Sequence, residues 1–182
     1  HPKDSIRRGV SMVTEDRLMT GIISILSVRE NMSLANLPSY CNKLKFVQTA
    51  REEREVDKMV ERMNVKLSTP AQPIGSLSGG NQQKAILGKW LLTKPNVLIL
   101  DEPTRGIDVG AKYEIYSLIA KLAAEGMAVI LISSELPEIM GMADRVITFC
   151  EGRITAEFTS NEIEQERIVN AAFGFQNAEE LS

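Results

Sequence analysis

Four apolar residues at helical spacing, Val56, Met59, Val60 and Met63, run through an otherwise charged stretch. Residues three and four apart share one face of an α-helix, so the stripe predicts an amphipathic helix over 49–65 whose apolar side joins a core. Core packing accounts for the stripe without a cofactor, and Ser68-Thr69-Pro70 ends it. A second stripe, Ile86, Leu87, Trp90 and Leu91, predicts a helix beginning near residue 79. A third, Ile115, Leu118, Ile119 and Leu122, predicts one that Asp108 caps and Gly126 stops. The apolar rhythm then changes. Residues 97–100 and 129–132 are unbroken aliphatic runs, the pattern of strands buried on both faces in a parallel sheet. With the third helix between them they form a βαβ unit.

Residues 10–14 are short and β-prone, and 146–150 with 154–158 read as a hairpin turning through Glu151-Gly152. Ser27 with Glu30 and Thr159 with Glu162 have capping-box spacing; the second is expected to start a final helix carrying Ile163, Ile168 and Val169. Residues 37–46 look like a polar loop. The chain is therefore expected to be α/β.

Composition narrows this picture a little. A chain of 182 residues, 43% apolar and 25% charged, has the size and make-up of an ordinary globular domain. Its net charge of −3 and its lack of a basic block give no push toward nucleic acid. No apolar run reaches the roughly 20 residues of a membrane span. Cys41 and Cys150 share no motif and are expected as free thiols. Asn31-Met32-Ser33 fits a glycosylation sequon, read as chance in the absence of a secretory signal. The start at His1-Pro2, without methionine, is taken as that of a fragment or of a trimmed chain.

Two segments carry candidate chemistry. Asp101 and Glu102 follow the first aliphatic run, at the carboxyl end of a strand, where ligands gather in open α/β sheets. Asp101 suits a magnesium ion, and Glu102 suits orienting or deprotonating an attacking water. Alone, the pair is equally well a solvated strand end. In "SLSGGNQQK", residues 76–84, Ser78 capping a helix that starts at Gly79 would leave backbone N–H groups open to an anion, with the helix dipole in favour. Gln82 and Gln83 would add neutral donors. A plain loop before a helix explains a lone Ser-Gly-Gly as cheaply.

Taken together, "LSGGNQQK" and "VLILDEPTRGID" resemble the ATP-binding-cassette (ABC) ATPases: the first is similar to their signature motif, the second to their Walker B strand and D-loop. "VTEDR" at 13–17 and "ISSELPEIMGMADRV" at 132–146 extend the resemblance to the second cassette of tandem ATPases that drive monosaccharide import. The resemblance implies an ABC-type P-loop NTPase core with a helical subdomain. It divides the chain into 1–26 (core), 27–85 (helical subdomain ending in the signature), 86–150 (core with Walker B, D-loop and switch strand) and 151–182 (terminal hairpin and helix).

It further implies ATP and Mg²⁺ as cofactors, Glu102 as the catalytic residue and Asp101 as the metal ligand. Ser78, Gly79, Gly80, Gln82, Asp108, Glu15 and Ser134 would be nucleotide-facing. The implied partners are a first ATP-binding cassette, membrane permease subunits and, indirectly, a periplasmic or extracellular sugar-binding protein, at the cytoplasmic face of the membrane. A soluble ABC ATPase of DNA repair or translation is the alternative.

Three departures bear on mechanism. No G-x-x-x-x-G-K-[ST] occurs; Gly88-Lys89 comes nearest, and Trp90 follows it, so the portion carrying Walker A is expected upstream of His1. The family's switch histidine is replaced by Ser134, and its Q-loop glutamine by Glu15. In such head-to-tail pairs the signature of one cassette faces ATP on the other, so Ser78, Gly79, Gly80 and Gln82 are expected to act in trans. The site containing Glu102, Glu15 and Ser134 is expected to be degenerate.

Overall fold

The computed structural model describes residues 1–175. They fall into two compact units, one spanning His1–Ile132 and one beginning at Ser133. The first unit contains, in order, α1 (Pro2–Arg7), β1 (Val10–Val13), a π-helical turn (Arg17–Gly21) and α2 (Val28–Ser33). A 3₁₀ segment (Leu34–Tyr40), α3 (Thr49–Arg62) and α4 (Gly79–Leu91) follow, then β2 (Val97–Asp101), α5 (Val109–Ala124) and β3 (Ala128–Ile132). The three strands form one parallel sheet in the order β1-β2-β3, with Val10 opposite Val97 and Asp101 opposite Ile132.

The sheet is closed on one face only. Val13, Leu98 and Leu100 are buried, while Met12, Ile130 and Ile132 on the opposite face are 38%, 50% and 46% exposed. The expectation of burial on both sides fails for β3, while β2 keeps its second face half-buried. An unbroken apolar run marks both faces as coverable but does not supply the cover.

α4 is buried on almost every side. Gly88 lets it approach α2 and α3, since a Cβ there would come within 2.5 Å of Met32 Cε and 3.0 Å of Met59 Cγ. α3 buries Val56 and Met59 as its stripe requires and ends at Arg62, short of the predicted end, where Asn64 turns left-handed (φ 49). Leu34–Tyr40 is 3₁₀-helical rather than the start of a loop and buries Tyr40.

The sequon residue Asn31 is sealed in. Its Oδ1 accepts from the Ile23 N–H at 2.8 Å, and its Nδ2 donates to the carbonyls of Ile23 and Ser27 at 3.0 and 2.9 Å. That network pins the strand-to-helix loop and leaves no exposed amide to glycosylate.

The second unit contains α6 (Leu136–Met142), β4 (Arg145–Cys150), β5 (Arg153–Thr159), a 3₁₀ turn (Ser160–Glu162) and α7 (Gln165–Ala172). β4 and β5 pair antiparallel, joined by Glu151 (φ 49) and Gly152 (φ 77), two positive angles that match the twist of a two-residue hairpin. Val146, Phe158, Ile168 and Ala171 form its core. The Thr159–Glu162 capping box is present but starts the 3₁₀ turn, so Ile163 precedes α7 instead of lying on it. Cys41 and Cys150 are free thiols.

Candidate functional site

The N-terminus of α4 is held in place by side chains from several segments. Ser78 is the N-cap in extended geometry, but its hydroxyl bonds to no helix N–H; it accepts from Asn81 Nδ2 at 2.9 Å. Asn81 Oδ1 in turn accepts from the Lys66 N–H at 2.8 Å. Gln82, expected to offer a free donor, is buried. Its Nε2 donates to the carbonyls of Leu77 and Ile74, at 3.1 and 3.4 Å, and its Oε1 accepts from Arg17 Nε at 3.1 Å. The amide is committed to shaping the loop, because a buried amide with unmet hydrogen bonds would be costly. Gln83 is buried too.

The two glycines differ. A Cβ on Gly79 would meet only the guanidinium of Arg17, at 3.1 Å, whereas one on Gly80 would lie 2.5 Å from the Cβ of Ala111 in α5. Gly80 is thus required by packing, independently of any ligand. Arg17 sits over this start of α4, and its partial burial lowers its pKa from the ordinary arginine value.

The end of β2 delivers Asp101 and Glu102, both half-buried. Glu102 adopts left-handed backbone geometry (φ 47), and its N–H donates to the Ile132 carbonyl at 2.9 Å. The ladder to β3 is thereby carried one residue beyond Asp101 before the chain turns. Such a conformation in a residue with a side chain is strained and is held by its surroundings.

Asp108 caps α5, accepting from the Ala111 N–H at 2.9 Å. Arg105 forms an ion pair with Glu15, which offsets the glutamate charge noted in the sequence; both line a cleft of about 280 Å³ with Asp16 and Arg17. Among the described residues no group of three His, Cys, Asp or Glu side chains forms a metal cage. Two adjacent carboxylates nevertheless fit Mg²⁺, which takes one or two from protein and completes its shell with phosphate and water.

Ser78, Gly80 and Asp108 come together along a second cleft of about 320 Å³, with Lys66, Lys84 and Glu114. Ser134 is exposed and belongs to the second unit. Lys89, of the Gly88-Lys89 pair, lies inside α4, buried and donating to the Gly21 carbonyl at 2.5 Å. It ties the helix to the π-helical turn, and burial lowers its pKa.

The sequence reading missed Arg17, Arg105, Lys84 and Glu114. For Lys84 a signal existed: it stands on the same helical stripe as Leu87 and Leu91, a charge where periodicity asks for an apolar side chain.

Residues 1–105 match the family model described as ABC transporter, and the chain belongs to that family. It is 52% identical over 171 residues to the xylose import ATP-binding protein XylG of Pseudomonas syringae pv. tomato, covering 94% of this chain and 32% of that protein. To the ribose import ATP-binding protein RbsA of Clostridium tetani it is 44% identical over 176 residues, covering 97% of this chain and 35% of the relative. The chain therefore spans about a third of the length of these curated relatives.

Among solved structures, an ATP-binding cassette of an ABC transporter in its ADP conformation superposes with a TM-score of 0.77 at 21% identity. That match covers 96% of this chain and 72% of the other. The fold is accordingly that of an ABC-type P-loop NTPase.

Proposed function

We propose that this sequence is part of the ATP-binding subunit of an ABC importer for a monosaccharide. In it, Ser78, Gly79 and Gly80 contact ATP held by a P-loop-bearing cassette, and Asp101 and Glu102 face the Mg²⁺ and water of their own site, the degenerate one of the two. The observation that carries this reading is the start of α4. There Gln82, Asn81, Arg17 and Ala111 fix the backbone around the glycines, while Ser78 itself stays exposed. Preorganised N–H groups at a helix N-terminus favour phosphate.

The substrate class rests on the names of the xylose and ribose import relatives. Permease subunits, a sugar-binding protein and attachment at the cytoplasmic face follow from the same reading. Among the described residues no helix is long and apolar enough to cross a membrane.

Because Gly80 packs on Ala111, substituting it would disturb the fold as well as the site. Ser78→Asp is the cleaner test. Aspartate is a good N-cap and suits the helix dipole, but it repels phosphate. In the full-length two-cassette protein it is expected to leave the melting temperature unchanged and lower ATP hydrolysis on the order of a hundredfold. Hydrolysis at the parent rate by Ser78→Asp would refute action in trans.

A further inference from the structure

We infer that Glu114 is a positioning residue: through Lys84 it locks the signature end of α4 to the first turns of α5, so that Ser78–Gly80 and Asp108 are presented as one rigid block. The inference rests on the trans reading above.

The Lys84 side chain is 3% exposed. A lysine this deep needs partners, since an unpaired buried ammonium is strongly unfavourable. It has two: its Nζ is ion-paired with the Glu114 carboxylate of α5 and donates to the Asn64 carbonyl, beyond α3, at 3.0 Å. The other carboxylate oxygen of Glu114 faces Lys66 Nζ at 3.7 Å. The hydrogen bond and charge of Lys84 hold the Glu114 carboxyl below its usual range, with Lys66 adding to the effect.

The placement of this network explains its use. Gly80 meets Ala111 with no room for another atom, which makes one point of contact between α4 and α5. A single point lets two helices pivot. Lys84 lies about one turn beyond Gly80 on α4, and Glu114 about one turn beyond Ala111 on α5. The ion pair is thus a second contact along the same two helices, and two contacts fix their relative orientation. Ahead of the first contact lie Ser78 on one helix and Asp108 on the other, which line one cleft with Lys84 and Glu114. Without the carboxylate, Lys84 is left buried without its counter-charge, and the second tie between α4 and α5 is lost.

The test uses the full-length two-cassette protein with Glu114→Gln, Lys84→Met and the double variant, beside Ser78→Asp. Glu114→Gln leaves the buried Lys84 ammonium an amide acceptor in place of its counter-charge, so the fold is kept at reduced stability. For Glu114→Gln, kcat is expected to fall on the order of tenfold, with KM for ATP within about twofold, and the melting temperature is expected to fall and to recover in the double variant, which has no buried charge to pair. The double variant is expected to be no slower than Glu114→Gln alone, because a thioether in place of the Lys84 ammonium needs no counter-charge. Amide hydrogen exchange at residues 79–82 should rise in Glu114→Gln. An unchanged kcat in Glu114→Gln while Ser78→Asp is inactive overturns the lock alone. A fully active Ser78→Asp overturns the trans reading, and the lock's function with it. Equal falls in melting temperature and kcat, multiplying in the double variant, reduce the pair to a fold-stabilising contact.

Discussion

At the start of α4 the backbone is fixed from outside, by Arg17 and Gln82, by Asn81 on Ser78, by Ala111 against Gly80 and by the Lys84–Glu114 pair. At the end of β2 the turn is made from within, by Glu102 in left-handed geometry with its N–H on Ile132. The first surface is built to stay where it is, and the atoms proposed to meet phosphate there are backbone groups that a rigid frame presents. The second stores strain at the residue whose carboxylate the proposed chemistry needs. Rigidity at the first and local strain at the second suit the proposed donor of binding groups and the proposed catalytic carboxylate, respectively.

The contrast is broken most directly at the glycines. Gly80→Ala, which puts a Cβ 2.5 Å from that of Ala111, is expected to cost about 1–3 kcal/mol by urea denaturation, whereas Gly79→Ala displaces only the flexible Arg17 and should be nearly neutral. Equal costs would show that α4 is not pinned at one glycine.

Glu102→Gly should act in the opposite direction. It relieves the left-handed strain and stabilises the chain by about 1 kcal/mol in the same assay, while removing the proposed catalytic carboxylate. A destabilised Glu102→Gly would mean that the side chain's contacts outweigh the backbone strain.

The smallest effect concerns acid. The Glu114 carboxyl is held below its ordinary value in the folded chain, chiefly by the hydrogen bond from Lys84. Its contribution is therefore complete above the ordinary carboxylate value and is lost as pH falls through the lowered one. Protection of the amides of residues 79–82, taken relative to their intrinsic exchange rate at each pH, should fall as pH drops through the lowered Glu114 value in the parent, and Glu114→Gln should abolish that dependence. Solvent screening keeps the effect modest, because Glu114 is half-exposed.

How much of this was legible follows from the range of each interaction. The helices of 49–62, 79–91 and 109–124, the βαβ unit and the hairpin are set by periodicity, caps and turn residues, all local, and they stand within a few residues of their expected ends. The Ser27–Glu30 box and the Asp108 cap are equally local. The open face of the sheet was not legible, because cover is supplied by other segments. Nor were the reasons for Gly80 and Gln82. Ser-Gly-Gly followed by amides reads as a ligand loop, yet Gly80 answers to Ala111 and Gln82 to Arg17, both distant in sequence. Motif spacing identifies residues that matter; only the fold separates those that meet a ligand from those that hold the others still.

The methionines around Gly88 give the helical layer a chemical memory. Met32, Met59 and Met63 are 0%, 8% and 1% exposed, while Met19 on the π-helical turn is 80% exposed. Oxidation turns a soft thioether into a polar sulfoxide, which a packed apolar layer does not favour. A peroxide pulse should therefore mark Met19 at once and the other three only in molecules whose α2, α3 and α4 have parted. Each oxidation at those positions disfavours reclosure, so the layer keeps a record of its own excursions until the sulfoxide is reduced, with Met19 as the internal clock.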